Sequence, residues 1–464
     1  MSVNERKRIH KETMTTPVST THKAHCLLIS ANLVKSPYPV YPIGVAYIMG
    51  ALHECGHKAD HCDILASQGY SELDTLLADN RYDIIGISIR NIDSASSTST
   101  RVMVEDILEV IHHIRSRCTI PIVLGGPGFS IMPEKLMRYL GADYGIIGEG
   151  EIAFPQLIDK ILRKERLSER LFSHHLAAYP DCRPLFTAGN TRYYVDHGGM
   201  LSVQTKRGCN YGCAYCSYPA IEGKRLRCRD PKEVVENIRE LVQDYKARYI
   251  FFSDGVFNDP RDHYLQVAEA LIKAGNTTPW CAFFRPQNLG KKEIQLMKRS
   301  GMAAMELGTD ASSDTTLAGL NKGFSFAEVV AANEAITREG VPCAHFILFG
   351  GPGETEETVH KGLANIARLD NCVVFTSIGL RILPGTKLYN LALAEELITP
   401  QTDIITPVYY YSPLVDKSYI DRELRRAFQE KIDRIYPMEE MDQHVQLLHS
   451  LGRSGPLWDL ILKR

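Results

Sequence analysis

Short apolar runs of strand length alternate with longer segments of helical periodicity through the first third of the chain. Apolar residues at helical spacing predict helices over 43–53 and 101–114, and Gly56 is placed to end the first of them. The predicted strands are 25–30, 58–64, 83–89, 120–124 and 144–147. Such alternation predicts an α/β domain in which a Rossmann-like parallel sheet is covered by helices on both faces.

A second alternating array begins near residue 200. The predicted strands are 201–205, 249–253, 280–284, 303–307, 342–349 and 373–380. The predicted helices are 231–245, 262–273, 291–300, 326–338 and 357–369. Six βα units predict a partial (βα)6 barrel rather than a full eightfold barrel. The remaining residues begin with a run of three tyrosines at 409–411 and continue with helical patterns such as 424–436.

These patterns divide the chain into five segments. They are a disordered leader at 1–23, a Rossmann-like domain at 24–165, a connector at 166–199, a barrel at 200–397 and a mostly helical extension at 398–464. The polar, basic leader lacks the apolar stretch of a secretory signal, which favours a cytoplasmic location. No apolar run reaches the roughly 18 residues that a membrane span requires.

Composition narrows the classes of function. Fifty-three basic and 55 acidic residues give a net charge of −2, so no global attraction to polyanions exists and nucleic-acid binding is not expected. Twelve cysteines in a chain without an export signal are expected to stay reduced. Nine of these cysteines are scattered, and three are bunched.

The three bunched cysteines are candidate metal ligands. They lie in KRGCNYGCAYCSYP at 206–219, where Cys209, Cys213 and Cys216 have the spacing C-x3-C-x2-C. With this cysteine content, about 0.008 chance copies of the pattern are expected in a chain of this length. Three thiolates on one short loop can bind three irons of a 4Fe–4S cube and leave the fourth iron open to a substrate-like molecule.

Two alternatives to a cluster exist. A structural zinc site requires four ligands, but no second cysteine pair and no nearby histidine follow the motif, and Cys228 is the only close extra thiol. Unligated thiols are the other alternative, whereas disulfides are disfavoured by the reducing compartment.

The motif after the first strand of a partial barrel resembles the signature of radical S-adenosylmethionine enzymes, and Tyr215 before the last cysteine also matches it. The resemblance covers about 201–397. It implies a 4Fe–4S cluster held by the three cysteines. The open iron of that cluster would bind the amino and carboxylate groups of S-adenosylmethionine. Reduction would then release a 5′-deoxyadenosyl radical, which abstracts hydrogen from a substrate.

Further positions resemble cofactor contacts of that family. FSDG at 252–255 lies where the family binds the methionine amino group, which makes Ser253 and Asp254 candidate contacts. The usual Gly-Gly-Glu motif of the family is absent. ELGT at 306–309 makes Glu306 a second candidate contact. Asp254 and Glu306 could instead be capping or barrel-mouth residues. GGPGE at 350–354 could be a turn before a helix, and Arg381 could bind a carboxylate or pair with a structural acid.

The first domain ends its predicted strands in glycine-rich or small loops, which suit a large planar or nucleotide-like ligand. No G-x-G-x-x-G follows the first strand, so a dinucleotide is disfavoured. The segment resembles the cobalamin-binding domain of many radical S-adenosylmethionine enzymes, through YPVYPIG at 38–44, GGPGFS at 125–130 and DYGIIGEGE at 143–151. The candidate cofactor contacts are Gly125, Gly126, Gly148 and Glu149.

One departure from the cobalamin pattern concerns histidine. The D-x-H-x-x-G motif that supplies a histidine to cobalt is absent, and neither His57 nor His61 lies in it. In the fused family this absence implies cobalt without a histidine ligand from the protein. A degenerate sheet that no longer binds cobalamin is the alternative.

The resemblance implies a cobalamin-dependent radical S-adenosylmethionine enzyme that transfers methyl to an unactivated carbon. The first Tyr-Pro-rich loop and GPLW at 455–458 resemble the lipid-biosynthesis-type subgroup, which implies a small-molecule or lipid-like substrate. An electron donor such as flavodoxin or ferredoxin is the expected partner. The alternatives are a radical enzyme that cyclises, rearranges or oxidises its substrate without methyl transfer, and a non-catalytic iron–sulfur or cobalamin sensor.

Overall fold

The computed structural model describes residues 23–462. The predicted leader lies outside the described residues except for Lys23. The first domain is built on a six-stranded parallel sheet in the order β2-β1-β3-β4-β5-β6. Its strands are β1 (His25–Ser30), β2 (Lys58–Asp63), β3 (Ile84–Ser88), β4 (Ile122–Gly125), β5 (Tyr144–Gly148) and β6 (Leu171–His174). Its helices are α1 (Ile43–Glu54), α2 (Ser71–Asp79), α3 (Val104–Arg115), α4 (Pro127–Ile131), α5 (Pro133–Leu140) and α6 (Gly150–Leu162).

The predicted Rossmann-like sheet is confirmed, and its local signals explain it. The strand β1 is buried along almost its whole length and places Ile29 opposite Cys62 on one side and Ile87 on the other. The helix α1 ends as predicted, because Gly56 adopts a φ of +78° and donates its N–H to the carbonyl of His53 at 2.8 Å. The strand order reverses between β1 and β3, and a ligand crevice forms at the carboxyl edge of a sheet at such a point.

The predicted connector at 166–199 contains one strand and one helix that the sequence pattern did not predict. The strand β6 joins the edge of the first sheet, and the helix α7 (Ala188–Gly198) precedes the second domain. The strand has only four residues, none of them fully buried, so it has too little apolar periodicity to be recognised. The helix ends at Gly199, which adopts the left-handed conformation.

The second domain is a seven-stranded parallel sheet in the order β17-β14-β13-β12-β11-β10-β7. These strands are β7 (Met200–Val203), β10 (Tyr249–Phe252), β11 (Trp280–Phe284), β12 (Met302–Asp310), β13 (Cys343–Phe349), β14 (Val373–Ile378) and β17 (Arg434–Ile435). Two small antiparallel pairs accompany them: β8 (Lys206–Arg207) with β9 (Arg227–Cys228), and β15 (Leu380–Arg381) with β16 (Tyr409–Tyr410). Six of the strands follow chain order, as expected for a partial barrel, and the short β17 extends the edge.

Helices alternate with the barrel strands. They are α8 (Tyr218–Ile221), α9 (Pro231–Gln243), α10 (His263–Lys273), α11 (Lys291–Arg299), α12 (Asp314–Gly319), α13 (Phe326–Arg338), α14 (Glu356–Ile366) and α15 (Lys387–Ala394). The C-terminal extension adds α16 (Lys417–Phe428), α17 (Asp442–Ser450) and short 3-10 turns at Met438–Met441 and Trp458–Leu462. Among residues 23–462, none of the helices is both long and apolar enough to span a bilayer.

The second sheet uses its two faces differently. One face packs on the helices and forms the largest core cluster of the molecule. The other face carries a row of phenylalanine rings in mutual contact: Phe251 and Phe283 meet edge to face at 5.4 Å, and Phe346 and Phe375 stack at 5.1 Å. Trp458 from the C-terminal turn packs into the cluster on this face, so the extension covers one end of it.

Candidate active site

The cysteine motif lies on a loop framed by the β8–β9 pair. The loop begins at Gly208, whose φ is +88° and where a Cβ would collide with the carbonyl oxygen of Arg225, so glycine is required there. The amide of Cys209 then donates to the carbonyl of Gly223 at 3.1 Å. The short ribbon therefore holds the first cysteine in place.

The far side of the loop is fixed to the barrel. The amide of Ala214 donates to the carbonyl of Leu320 at 2.9 Å, and the Asn321 side chain donates to the carbonyl of Gly212 at 2.6 Å. The hydroxyl of Tyr215 donates to Asp310 Oδ2 at 2.7 Å. The predicted cofactor contact Tyr215 thus holds the loop to the carboxyl end of β12.

Two buried cations face the middle cysteine. Arg285 Nη1 donates to Cys213 Sγ at 3.7 Å, and Lys322 Nζ donates to the same sulfur at 3.6 Å. Lys322 also pairs with Asp310. Burial raises the pKa of the Cys216 thiol to about 12 and raises the pKa of Cys209, so iron must displace protons from these thiols.

The residues of the loop fit a 4Fe–4S cluster. Within the described part of the chain, no three His, Cys, Asp or Glu side chains form a group that could hold a metal ion. A cubane does not need three ligands on one ion, because each thiolate binds a different iron. The two cations would offset the negative charge of a thiolate-bound cluster. Three cysteines, Cys209, Cys213 and Cys216, are available to hold it.

The predicted contact Asp254 is buried and fully engaged by the protein. Its carboxylate accepts hydrogen bonds from the Thr205 amide at 2.7 Å, from the Thr205 hydroxyl at 2.5 Å and from Lys206 Nζ at 3.2 Å. It therefore ties the end of β10 to the end of β7. Ser253 beside it borders the central cavity, and its hydroxyl makes only a long hydrogen bond of 3.5 Å to the carbonyl of Val203.

The predicted contact Glu306 lies on β12, on the same face as Phe283. Its Oε1 accepts a hydrogen bond from Trp458 Nε1 at 3.0 Å. Burial raises its pKa to about 7. The C-terminal turn therefore supplies the hydrogen-bond partner of this carboxyl group.

The GGPGE motif at 350–354 and Arg381 have structural partners within the protein. The carboxylate of Glu354 accepts from the Thr358 hydroxyl at 2.6 Å and from the Gly350 amide at 3.2 Å, which closes the turn before α14. Arg381 pairs through Nε with Asp93 Oδ2 at 2.7 Å. It thus binds a structural acid of the first domain.

A cavity of about 580 Å³ lies between the two sheets. From the first domain it is lined by residues that include Ser88, Arg90, Gly125, Gly126, Gly148 and Glu149. From the second domain it is lined by residues that include Ser202, Gln204, Ser217, Tyr218, Ser253 and Phe283. Its volume is typical of a cofactor or ligand site. The predicted contacts Gly125, Gly126, Gly148, Glu149, Ser253 and Asp254 border this one cavity. The predicted site residues Cys209, Cys213, Tyr215, Cys216 and Glu306 are not among its lining residues.

The glycine-rich loop after β4 packs closely against the chain that follows β3. Gly126 has a φ of +95°, and a Cβ there would lie 2.7 Å from the carbonyl oxygen of Ile89. A Cβ at Gly128 would lie 2.9 Å from the carbonyl oxygen of Arg90. The glycines therefore let this loop lie directly against the end of β3 at the carboxyl edge of the sheet, the edge at which cofactors bind in such domains.

No histidine lines this cavity among the described residues. His61 is buried, and both of its ring nitrogens are engaged: Nε2 with the Ser30 hydroxyl at 2.8 Å and Nδ1 with the Asn190 amide at 2.9 Å. Burial lowers its pKa to about 4. The Nδ1 of His57 accepts from the Ala24 amide at 3.1 Å. Both histidines therefore have structural partners.

The predicted contact Glu149 borders the cavity, but its carboxylate is hydrogen-bonded to arginines of the second domain. It accepts from Arg207 Nη1 at 3.0 Å, from Arg227 and from the Leu176 amide at 2.9 Å. Sequence reasoning missed Arg207, Arg285 and Lys322. Only Arg285 carried a recognisable signal, because it directly follows β11 at the carboxyl end of a barrel strand.

Two family models match the chain. The B12 binding domain model matches residues 29–158, and the Radical SAM superfamily model matches residues 203–363. The tryptophan 2-C-methyltransferase of Streptomyces laurentii is 24% identical, over 81% of this chain and 75% of its own. The hopanoid C-3 methylase of Methylococcus capsulatus is 22% identical, over 75% of this chain and 68% of its own.

Two solved structures share the fold over most of the chain. The radical S-adenosylmethionine methyltransferase TsrM from Kitasatospora setae, solved with cobalamin and a [4Fe-4S] cluster bound, superposes with a TM-score of 0.83. The two chains are 21% identical, and the match covers 95% of this chain and 98% of TsrM. The cobalamin-dependent S-adenosylmethionine radical enzyme OxsB superposes with a TM-score of 0.70 at 15% identity, over 95% of this chain and 75% of its own.

Proposed function

We propose that this chain, which belongs to the radical S-adenosylmethionine superfamily and carries a B12-binding domain, transfers a methyl group to an unactivated carbon of a lipid or natural-product precursor. When bound, the 4Fe–4S cluster supplies the electron that cleaves S-adenosylmethionine to a 5′-deoxyadenosyl radical, and cobalamin supplies a transferable methyl group. The relatives named as tryptophan and hopanoid methylating enzymes support this reaction class.

One observation carries the proposal: the glycine loops of the first domain and the residues that follow the cysteine motif border the same cavity. The glycine-rich wall formed by Gly125, Gly126 and Gly148 borders it from the first domain. Ser217 and Tyr218, which directly follow the last cysteine of the motif, border it from the second. A radical formed at one side and a methyl group held at the other would therefore reach a substrate bound between them.

Apolar rings line part of the cavity. Phe251 and Phe283 border it from the barrel, and Phe283 is 40% exposed. Exposed apolar surface inside a cavity favours an apolar part of the substrate. Exclusion of water also protects a carbon radical from side reactions. These rings support a substrate with a sizeable hydrocarbon or aromatic part.

The cysteines of the loop would bind the cluster, and the cations beside them would favour its reduction. Cys209, Cys213 and Cys216 hold the irons, and Arg285 and Lys322 place two positive charges beside the middle thiolate. A nearby positive charge favours an added electron on the cluster. We infer that a flavodoxin or ferredoxin in the cytoplasm delivers this electron.

The test is an anaerobic assay of the full chain, reconstituted with iron, sulfide and cobalamin. It contains methyl-labelled S-adenosylmethionine, a flavodoxin reducing system and fractionated lipid or natural-product extracts. The expected result is 5′-deoxyadenosine together with label in an extract compound. Formation of 5′-deoxyadenosine with a modified but unlabelled compound would indicate cyclisation, rearrangement or oxidation instead. Absence of both products would favour a sensor.

A further inference from the structure

Two buried ion-pair clusters join the domains beside the cavity. We call the group Glu149, Glu151, Arg207 and Arg227 the β5 latch, and the pair Asp93 and Arg381 the β3 latch. In each, the acids come from a loop or helix start at the carboxyl edge of the first sheet. The arginines come from the small antiparallel ribbons of the second domain. Each latch therefore connects the edge of the B12-binding domain to the barrel.

The β5 latch grips both strands of the ribbon that frames the cysteine loop. Arg207 and Arg227 are direct partners in the β8–β9 pair, and both donate to the carboxylate of Glu149. Arg207 Nη2 also lies 2.6 Å from Glu151 Oε1. The two acids balance the two arginines, and the four side chains are at most 7% exposed.

Aromatic rings and a glutamine complete the surroundings of Arg207. Its guanidinium lies over the rings of Tyr47 and Tyr179, at 4.9 and 5.4 Å from their centroids. Its Nε donates to Gln204 Oε1 at 2.9 Å. The side chain is thus fixed in position and direction, and it lies only two residues before Cys209 in the chain.

The β3 latch stands at a second point of the same edge. Arg381 Nε lies 2.7 Å from Asp93 Oδ2, and its Nη2 donates to the carbonyl of Ile404 at 2.6 Å. The strands β3 and β5 are separated by β4, so the ends of these two strands lie about 10 Å apart along the sheet edge. The glycine-rich loop that follows β4 lies between them.

We propose that Arg207 is a positioning residue, and that the β5 latch sets the place of the cysteine loop relative to the B12-binding edge. The ribbon has two residues in each strand, and the latch ties one residue of each strand to the first domain. A buried charged pair fixes one geometry where apolar contacts would allow several. The inference rests on the proposed function for its purpose, but the geometry it claims can be measured without any turnover.

The first test is hydrogen exchange on the full chain without cofactors, with Glu149→Gln compared with the parent. We expect amides at 204–209 and 222–229 to exchange at least about tenfold faster, since one acceptor of both arginines is neutralised. The control Glu236→Gln removes the charge of an exposed pair with Arg183 and should change neither segment. Unchanged exchange in both segments, or an equal increase over the whole chain, would overturn the proposal.

The second test measures position in the loaded protein. Pulsed dipolar EPR between cob(II)alamin and the reduced cluster should give a single narrow distance distribution in the parent and a broader one in Arg207→Lys. Lysine keeps the charge but cannot bind both acids in two directions. Should Glu149→Gln or Arg207→Lys not fold, Glu149→Asp, which keeps the charge and withdraws the carboxylate, takes its place. An unaltered distance distribution in a folded latch variant would refute the positioning role, whether or not methyl transfer is observed.

Discussion

At the scale of single residues, the centre of the site is a set of sulfurs and cations that the sequence reveals only in part. The spacing of Cys209, Cys213 and Cys216 was sufficient to predict a cluster loop. The cations beside Cys213 were not predictable, because Arg285 is 72 residues and Lys322 is 109 residues away along the chain. Asp254 was predicted as a cofactor contact from its place at a strand end, and it borders the cavity. Its hydrogen bonds to Thr205 and Lys206 were not predictable from the sequence.

The first prediction concerns the cysteines. Cys213→Ala should lose the broad visible absorbance of the reconstituted cluster and all cleavage of S-adenosylmethionine, because one iron loses its only protein ligand. Cys228→Ala is the matched control, since Cys228 is a nearby thiol outside the motif, and it should retain both. Iron analysis, absorbance and 5′-deoxyadenosine release check the pair. Retention of both properties in Cys213→Ala would exclude the assigned ligand set.

The second prediction concerns pH. Burial raises the pKa of Glu306 from 4.5 to about 7, so the folded state binds this proton more tightly than the unfolded chain does. The stabilisation is complete below pH 4.5 and is lost as the pH rises through about 7, a change of about 3 kcal/mol. Burial also raises the pKa of Glu354 to about 7, so Glu354 adds a similar dependence of stability on pH.

Glu306→Gln should therefore lose the part of the slope that belongs to Glu306. Urea unfolding at pH 5 to 8 checks this, followed by the fluorescence of Trp280 and Trp458, which are the only tryptophans in the sequence and lie in the second domain and its C-terminal extension. The exposed Glu334→Gln should keep the full slope. An equal slope in Glu306→Gln and the parent would show that Glu306 does not titrate in this range.

At the scale of elements, long periodic segments were predictable and short ones were not. The strand β11 and the helix α13 have the predicted bounds. The strand β6 was not predicted, because its four partly exposed residues show no hydrophobic periodicity. The loops between elements were recognised by composition alone. Their glycines are required by close approach of the backbone, as at Gly126, which composition cannot reveal.

The third prediction tests that close approach. Gly126→Ala adds a Cβ 2.7 Å from the Ile89 carbonyl at a φ of +95°, whereas Gly141→Ala meets a φ of +65° with no atom within 4 Å. Left-handed strain alone should cost Gly141→Ala about 1–2 kcal/mol. Gly126→Ala adds overpacking of about 1–3 kcal/mol at the cofactor wall, so its affinity for cobalamin should fall about tenfold or more. Equal affinity in the two variants, measured by equilibrium dialysis, would contradict a role for the loop after β4.

At the scale of the whole molecule, the arrangement of the domains makes the site. The B12-binding sheet and the barrel face each other across one cavity, and the β3 and β5 latches hold them there. The order of the domains could be predicted from the motifs. The contacts between them could not, because Glu149 and Arg207 are 58 residues apart and each could equally have faced a cofactor.

The fourth prediction concerns cobalt. Since His61 and His57 are engaged by the protein and no described histidine lines the cavity, cobalamin should bind without a nitrogen ligand from the chain. The EPR spectrum of bound cob(II)alamin should therefore contain no nitrogen hyperfine splitting from a histidine of the chain, so that any splitting comes from the benzimidazole of the cofactor. His174→Ala and His175→Ala near Gly148 should leave this spectrum unchanged. A resolved nitrogen splitting that disappears in any histidine variant would identify the missing ligand.

The proposed chemistry depends on three cysteines that leave one iron free for S-adenosylmethionine. EPR of the anaerobically reconstituted and reduced protein tests it most directly, before and after addition of S-adenosylmethionine labelled with ¹⁷O in its carboxylate. We expect a [4Fe–4S]⁺ signal whose g-values shift on addition of S-adenosylmethionine and whose lines broaden with the label. A signal that does not respond to S-adenosylmethionine, or protein that contains zinc in place of iron, would contradict it.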